Sequence, residues 1–515
     1  MSLSSVLGTA RGALAAQQVV IDTVGNNIAN AQTPGYTRQT AELTAAMPQQ
    51  FAYGIVGTGV QVTNVTSARD QLLDASVRQE SGGESAATER QSLLSSVEGI
   101  LGEPSDTGLA ATMDSFWSGW SDLAAQPTSG AAKAVVVQRG AAAATMLNQF
   151  DQRLTDLRTQ TTQSLGNDLT QVNTLAKQVA DLNGRIVTAE VGGREANDLR
   201  DARDTAIDKL AAYGNVQAVP KADGSTQVTF GNYTLVSGVE ARQLQRTTDV
   251  NGNAALAFTD RPFQPLQAAG GSTQAMTDFL NGGAQKVQDQ LDSLANRLAA
   301  SVNQVVAQGH NAGSTTTPSF FVSKVDGTFS ASGNPFSVPP AAGTVNARTI
   351  SVNAALVADA SGVPTSSSAQ QPGNNDVALA LAGLRTSATS SVGGVSVAFA
   401  LPDRTQPPTV TTVTSGQTTT TITTPAASPT SSPTTFADFY NTTVTSLGVD
   451  VKAATDDASV HSTLADQART RRQSVTGVNT DEELTNLMQA QQAYAAAAKI
   501  VTTVDDMMKT LVEMF

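Results

Sequence analysis

The side chains that most often carry out catalysis are scarce in this chain of 515 residues. It contains no cysteine and only two histidines, His310 and His461. The absence of thiols excludes disulfide frameworks, cysteine nucleophiles and thiolate metal sites. Two distant histidines exclude a three-histidine zinc site and an HExxH helix. We therefore expect no metal and no cofactor, and we interpret both histidines as ordinary core or surface residues.

Two adjacent carboxylate pairs, Glu482-Glu483 and Asp505-Asp506, have the residue types of an acid–base pair. Both fall on predicted helix surfaces without an apolar pocket, so we interpret them as solvated faces. Gly57-Thr58-Gly59 is not followed by the Gly-Lys-Ser/Thr of a phosphate-binding loop. We therefore expect no catalytic residue in the chain.

Charge and hydropathy exclude two further classes of protein. The net charge is −13, so the chain has no electrostatic reason to hold nucleic acid. A small basic patch, Arg469, Arg471 and Arg472, favours a solvated helix face or a subunit contact over an anion site. No run of about 18 apolar residues is present, and residues 1–30 lack the features of a cleaved secretory signal. We therefore expect neither membrane insertion nor export through such a signal.

Apolar residues recur along residues 3–31 at alternating steps of three and four, which predicts a helix with a heptad seam. Pro34 and Gly35 predict its end in a turn. Such a helix is not stable alone in water, so it needs a partner helix. The predicted seam consists of Leu3, Leu7, Leu14, Ile21, Val24 and Ile28.

The other end of the chain supplies a candidate partner. Thr480 and Glu483 predict a capping box at the start of a helix, and no Gly or Pro occurs between Val478 and Phe515. The apolar stripe of this helix is broad enough to contact more than one neighbour. Its predicted assembly residues are Leu484, Leu487, Gln491, Tyr494, Val501, Met508 and Val512.

Helical and β-rich segments alternate between the two ends. Predicted helices cover residues 85–101, 132–190, 195–212, 273–308 and 439–475. Predicted strands lie within residues 50–66, 214–260 and 314–400. The predicted fold class is α+β and multidomain, in which terminal helices form a coiled-coil or helical-bundle base and β-rich domains are inserted.

This layout divides the chain into seven segments. They are an N-terminal assembly helix (1–35), a helical bundle domain with a β-hairpin near 50–66 (36–213), a small β subdomain (214–265), a helix returning to the bundle (266–313), an outer β-rich domain (314–401), a Thr/Pro/Ser-rich linker or loop (402–435) and a C-terminal helical segment that completes the bundle (436–515). We expect residues 1–35 to be disordered in the free monomer, because they cannot bury their seam unaided. The Val and Ile of residues 402–435 also allow a hairpin.

The sequence NNIANAQTPGY, residues 26–36, resembles the N-terminal signature of the flagellar axial proteins, which are rod, hook and hook-associated subunits. Thr37-Arg38-Gln39 resembles the hook-associated protein 1 branch, and residues 477–515 are similar to the closing helix of the family. Residues 197–204 resemble an interior motif, N-x-L-x-D-x-R-D. Without this resemblance, Asn before Pro-Gly indicates no more than a helix end. The signature residues are Asn26, Asn27, Asn30, Thr33, Pro34, Gly35 and Tyr36.

The resemblance implies a structural, non-enzymatic subunit at the junction of hook and filament. It implies a homo-oligomer in a ring or helical collar that contacts the hook protein and the second junction protein, hook-associated protein 3. It also implies an extracellular location, reached unfolded through the flagellar type III apparatus, and an export chaperone on the C-terminal helix. We interpret Asp201, Arg203 and Asp204 as an ion pair or cap that fixes a helix to the following sheet.

Other interpretations stay open. A hook protein or another axial structural protein is the alternative within the same class. A secreted adhesin or a cell-wall enzyme with helical flanks is the alternative of another class. A carboxylate pair in a cleft within residues 314–400 would support the enzyme, whereas an aromatic content of 4% leaves few rings for stacking on sugars.

Overall fold

A computed structural model describes the chain as long helices and short antiparallel strands. The described residues are all except 1–2, 52–53, 267–269, 312–316, 331–342, 372, 388, 393–394, 399–408, 416–417, 425–434 and 514–515. The chain forms two compact units. The first contains residues 1–89, 165–275 and 457–515, and the second contains residues 90–164 and 276–456. The first and last helices therefore belong to the same unit.

The secondary structure elements are numbered here in chain order. The helices are α1 (Leu3–Asn30), α2 (Gln71–Leu101), α3 (Leu109–Ala125), α4 (Gly130–Ala189), α5 (Asn197–Tyr213), α6 (Gly271–Asp278), α7 (Ala284–Val306), α8 (Ala354–Ala358), α9 (Asp376–Gly383), α10 (Phe436–Thr476) and α11 (Thr480–Glu513). The strands are β1 (Gln39–Ala45), β2 (Gln49–Phe51), β3 (Gly54–Val56), β4 (Val60–Ser67), β5 (Val216–Pro220), β6 (Thr226–Phe230), β7 (Tyr233–Ser237), β8 (Glu240–Ala241), β9 (Leu244–Thr248), β10 (Ala254–Phe258), β11 (Phe321–Ser323), β12 (Ile350–Val352), β13 (Thr389–Val392), β14 (Val395–Ala398), β15 (Thr409–Ser415) and β16 (Thr418–Thr424). A π-helical turn, Phe279–Gly283, joins α6 to α7, and a 3-10 turn, Ala360–Gly362, follows α8.

The strands of the first unit pair with near neighbours in the sequence. β1 pairs with β4, and the β2–β3 hairpin lies between them in the sequence. β5 to β8 form an antiparallel sheet in chain order, and β9 pairs with β10. In β6, Thr226, Val228 and Phe230 are buried and alternate with half-buried residues. This period of two places the apolar face of the sheet toward the core.

Helix α2 begins at Gln71, well before the predicted residue 85. The added segment contains Gly82-Gly83, and paired glycines disfavour a helix interior. In the structure, a Cβ at Gly82 would lie 3.0 Å from the carbonyl oxygen of Ala211, and one at Gly83 would lie 2.7 Å from Nδ1 of His461. The glycines therefore remain in the helix because neighbouring segments approach it too closely for a larger residue.

The core of the second unit contains a cluster of aromatic rings. Phe116, Trp117 and Trp120 of α3 are at most 2% exposed, as are Phe320 and Phe321. The ring centroids of Phe116 and Trp120 lie 5.8 and 5.5 Å, respectively, from that of Phe320. This packing fixes α3 against the segment that leads into β11.

A buried carboxyl group holds a loop of the second unit against α7. Asp292 is 8% exposed and accepts a hydrogen bond from the main-chain N of Ala347 at 2.9 Å. Burial raises the pKa of Asp292 to about 7, and the neighbouring carboxylates of Asp151 and Asp289 also raise it. Asp151 is itself buried and pairs with Arg348 at 2.8 Å.

The α+β class predicted from the sequence is confirmed, since long helices alternate with small sheets. The predicted helix 273–308 is interrupted by the π-helical turn, which contains Gly282 and Gly283. Residues 402–435 contain the β15–β16 hairpin, and the rest of that stretch lies almost entirely outside the described residues. The division into seven segments stays a prediction.

Candidate assembly site

The first unit packs its two terminal helices, α1 and α11, against each other, and α1 also contacts β1 and β4. The buried residues of α11 recur every seven positions and are Glu483, Ala490, Ala497 and Val504. Buried residues of α1 include Ala10, Ala16, Val24 and Asn27. Because most of these side chains are small, the two helices can approach closely.

The predicted seam of α1 is only partly buried. Val24 is 6% exposed. Four other seam residues, spaced seven positions apart, are half-buried: Leu7, Leu14, Ile21 and Ile28. The remaining one, Leu3, is the first residue of α1. The four half-buried side chains leave part of their apolar surface open to solvent.

Most of the predicted assembly residues of α11 lie outside its buried seam. The exposed ones are Leu484, Gln491, Tyr494, Met508 and Val512, and the half-buried ones are Leu487 and Val501. The role of these residues in assembly stays a prediction. The prediction chose mainly large apolar side chains. Two helices approach closely where the side chains between them are small, so the buried positions of α11 include Ala490 and Ala497 instead.

Asn27 is the most connected residue of the signature, and it is 0% exposed. Its Nδ2 donates to the carbonyl oxygen of Gln39 at 2.8 Å and to Oε2 of Glu483 at 3.0 Å. Its Oδ1 accepts from the main-chain N of Gln39 at 3.0 Å and from the hydroxyl of Tyr36 at 2.8 Å. All four hydrogen-bonding positions of the amide are used. Asn27 therefore fixes the register of α1 against β1 and α11, because a slip would leave buried polar groups unpaired.

A tight turn at Pro34-Gly35 leads the chain from α1 to β1. Gly35 has a φ of 82°, and a Cβ there would lie 2.2 Å from Oγ1 of Thr205 on α5. Glycine is therefore required both by the backbone angle and by the available space. The turn brings Tyr36 to Asn27. Burial, together with three nearby carboxylates, raises the pKa of Tyr36 to about 12, so its hydroxyl stays protonated and donates.

The remaining signature residues form a polar chain along the last turn of α1. Nδ2 of Asn30 donates to the carbonyl oxygen of Asn26 at 3.1 Å and to its Oδ1 at 2.8 Å. The hydroxyl of Thr33 donates to Oδ1 of Asn30 at 3.2 Å. These exposed bonds stabilise the helix end.

Arg38 and Glu483 join the signature segment to the start of α11. Nε of Arg38 donates to Oε1 of Glu483 at 2.8 Å, and one terminal nitrogen donates to Glu482 at 2.9 Å. Glu483 is 1% exposed, so its interpretation as part of a solvated face is wrong. Its carboxylate bridges Asn27 and Arg38 instead of closing a capping box. Oδ1 of Asn479 accepts a hydrogen bond from the main-chain N of Asp481 at 3.0 Å. Asn479 therefore caps the helix, one residue before the predicted Thr480.

Asp201 and Asp204 of the interior motif accept hydrogen bonds from distant segments. Asp201 accepts from the main-chain N of Thr37 at 2.9 Å and from its hydroxyl at 2.7 Å. Asp204 accepts from Arg78 at 3.2 Å and is paired with Arg69. Burial raises the pKa of Asp201, whereas the bonds from Thr37 lower it. These contacts hold α5 against the signature segment and against α2.

Arg203 extends away from the two aspartates of its own motif. It donates to the carbonyl oxygen of Gly224 at 2.8 Å and to Oδ1 of Asn183 at 3.3 Å, and burial lowers its pKa to about 10. Arg203 does not pair with Asp201 or Asp204, because residues one and two apart on a helix face different directions; the two aspartates pair with Arg69 and Arg78 instead. Arg203 instead holds α5 to the β5–β6 turn.

Several residues of this network were missed by sequence reasoning. They are Arg69, Asp74, Arg78 and Asp208. Arg472 was instead assigned to a basic patch on a solvated helix face or a subunit contact. Arg472 donates to Asp208 at 2.5 Å and to Asp74 at 3.4 Å, so it is paired inside the chain. Its partners lie hundreds of residues away in the sequence, and a single sequence contains no spacing signal for such pairs.

The contacts of this site hold distant chain segments together. Its carboxylates accept from arginine, threonine and asparagine side chains of other segments. Within the part of the chain that the structure describes, no group of three or more His, Cys, Asp or Glu is arranged to hold a metal. In the same part, none of the helices combines the length and the hydropathy needed to span a membrane.

Comparisons with known proteins match the same segments. The family described as "Flagellar hook-associated protein FlgK helical domain" matches residues 94–321. "Flagella basal body rod protein" matches residues 7–37, which contain most of α1 and the signature, and "Flagellar basal body rod FlgEFG protein C-terminal" matches residues 472–514. The two rod descriptions therefore cover the helices that meet in the first unit.

Whole proteins align over almost the full chain. Flagellar hook-associated protein 1 of Bacillus subtilis (strain 168) is 27% identical and covers 98% of this chain and 97% of its own length. The protein of the same name from Salmonella typhimurium is 26% identical, with 99% of each covered. The fold is similar to the structure of the flagellar hook junction protein FlgK from Burkholderia pseudomallei, with a TM-score of 0.55, 17% identity, and coverage of 79% of this chain and 100% of that one. Over almost its full length, the chain is therefore similar to the flagellar hook-associated proteins 1.

Proposed function

We propose that this chain is a structural subunit of the bacterial flagellum that joins the hook to the filament and catalyses no reaction. The observation that carries this proposal is the near full-length similarity to flagellar hook-associated protein 1 of two bacteria. The paired terminal helices and the buried network around Asn27 supply a scaffold suited to this role, because they give the first unit one defined arrangement. An extracellular position in the flagellum follows from the same similarity.

The surface of the α1–α11 pair supports self-assembly into a ring or helical collar. Apolar side chains of α11 that are open to solvent include Leu484, Met488, Ile500, Met507 and Val512, which are 47–71% exposed. Apolar area of this kind is stabilised when another protein covers it. We propose that neighbouring copies and other axial subunits cover these residues, and that residues 1–35 become ordered in the same step.

The flanking partners are proposed from the family. One end of the collar contacts the hook protein, and the other contacts the second junction protein, hook-associated protein 3. The chain is exported unfolded through the flagellar type III apparatus. Before export, a chaperone covers the C-terminal helix, as expected for an amphipathic helix bound in a groove.

Deletion of the gene and of each terminus tests the structural role. Without the gene, we expect hooks to form, filament protein to be released into the medium, and motility to be lost. Chains lacking residues 1–35 or 480–515 should fail to restore filaments, although their second unit still folds. A chain lacking residues 402–435 is the control, because it removes a similar length away from both termini. Normal filaments with both terminal deletions would refute the proposal.

Charge substitutions on α11 test the chaperone proposal. Leu487→Asp, Tyr494→Asp and Val501→Asp should each weaken chaperone binding in calorimetry about tenfold or more, because they place a charge in an apolar contact. Thr485→Asp is the matched control, since Thr485 is exposed and polar. Unchanged affinity in all three variants would contradict the groove model.

The alternatives are separated by the same strains. A hook protein would form long hooks rather than a short collar in electron micrographs. A secreted adhesin or cell-wall enzyme would leave filaments intact when its gene is deleted.

A further inference from the structure

Helix α1 carries two charged side chains, Arg11 and Asp22, and both are exposed. They are 11 residues apart, so they lie about 20° apart around the helix and roughly 16 Å apart along it. Within the described residues neither forms an ion pair, although Asp22 accepts a hydrogen bond from Gln18 at 2.9 Å. Their separation exceeds the screening length of about 8 Å at physiological ionic strength. The two charges therefore do not stabilise each other within one chain.

The face of α1 that carries these charges is otherwise made of small and uncharged residues. Its other exposed members are Gly8, Ala15, Gln18, Gly25, Asn26 and Ala29. The four Gly and Ala residues among them are small enough for a second helix to approach closely. This face is distinct from the buried face against α11, to which Val24 and Asn27 belong.

An acidic groove of about 590 Å³ lies at the Asp22 end of this face. The carboxylates that line it are those of Asp22, Glu195 and Asp198, and its lining contains no lysine or arginine. Glu195 is paired with Arg200 at 3.1 Å, which leaves the other two without a cationic partner in the described chain. Asn197 also lines the groove; it is 6% exposed, and its Oδ1 has no hydrogen-bond donor in the described structure.

We propose that the α1 helices of neighbouring copies pack through this face, with Arg11 of one copy in the acidic groove beside Asp22 of the next. The guanidinium group is long enough to enter the groove, and it supplies the positive charge and the donors that the groove lacks. The inference rests on the proposed function, which requires copies to assemble. Parallel helices offset by roughly 16 Å bring the two charges together. This contact is heterologous and repeats from copy to copy, as a collar requires.

Charge exchange tests the contact in cells whose own gene has been deleted. Arg11→Glu and Asp22→Arg should each lower the fraction of cells with filaments about fivefold or more, because each places like charges together at every repeated contact. The double variant should restore filaments, since it reverses the pair. Arg153→Glu is the control, because Arg153 is exposed on α4 in the second unit. Full activity of both single variants, or a double variant no better than either, would overturn the inference. Filament loss in the deletion strain tests the proposed function separately.

Disulfide cross-linking tests the geometry directly, because the chain has no cysteine of its own. In the variant Arg11→Cys/Asp22→Cys, a bond within one chain is excluded, since roughly 16 Å exceeds the Cα separation of about 4.4–6.8 Å in disulfides. Oxidised flagella should yield a ladder of dimers, trimers and larger species, whereas either single variant should yield dimers at most. Dimers alone from the double variant would indicate an antiparallel closed pair, and monomers alone would indicate no contact; either result refutes the inference.

Discussion

Replacement of Asn27 by alanine removes the amide that joins α1, β1 and α11. It deletes four hydrogen bonds, two with the main chain of Gln39 and one each with Tyr36 and Glu483. A hydrogen bond contributes about 1 kcal/mol net, and a buried group left unpaired costs about 1–3 kcal/mol. Because a main-chain amide, a main-chain carbonyl and a carboxylate oxygen lose a partner together, we expect the free energy of unfolding of the first unit to fall by about 3–5 kcal/mol.

Hydrogen exchange measured by mass spectrometry on assembled flagella is the suitable assay, because residues 1–35 are proposed to be ordered there and because two units need not unfold together. A loss of about 3–5 kcal/mol predicts at least roughly hundredfold faster exchange in peptides from α1 and β1 wherever exchange occurs through opening of this unit. Asn26→Ala is the matched control: Asn26 is exposed, and its side chain accepts only from Asn30. Equal protection in the two variants would refute the assignment of Asn27 as the residue that fixes the register.

Three further changes test other features of the fold. Asp292→Asn keeps a hydrogen-bond acceptor but cannot ionise. The pKa of Asp292 is about 7 in the folded chain, against an ordinary value of 3.8, so the folded chain loses stability as pH rises from about 4 to 7. Relative to the parent, the variant should therefore be more stable by up to about 4 kcal/mol above pH 7 and by little at pH 4. Thermal unfolding measured as a function of pH checks this. Gly35→Ala forces a positive φ and a clash with Thr205, so thermal unfolding should show a loss of about 2 kcal/mol or more, whereas Gly25→Ala, which meets open space, should be neutral or stabilising. Phe116→Ala should cost about 3–5 kcal/mol in chemical denaturation of the second unit, because it leaves a cavity among buried rings.

Local signals in the sequence were sufficient to predict the terminal helices. The first predicted helix covered residues 3–31 and the structure has Leu3–Asn30, because Pro34 and Gly35 act on the backbone beside them. The α+β class followed in the same way from alternating periods of 3.6 and 2. The disorder of residues 1–35 in a free monomer stays a prediction.

The contacts that organise the site were not predictable from one sequence. Asp201 meets Thr37 across 164 positions, and no local pattern indicates which carboxylate will meet which hydroxyl. The seam of α11 that is buried within the chain was not recognised for another reason: Ala490 and Ala497 carry little hydropathy, yet their small size determines where a helix can approach. The buried role of Glu483 was missed because a glutamate near a helix start is usually solvated.

The hydrogen bond between Asn27 and Glu483 spans 456 positions of the chain. Synthesis delivers a polypeptide from its amino end, so α1 must wait for nearly the whole molecule before it meets its partner. Closing so large a loop carries an entropic cost and makes contacts of this kind slow to form. A molecule that ends before Glu483 therefore cannot form this bond, and the buried amide of Asn27 loses its contact with α11.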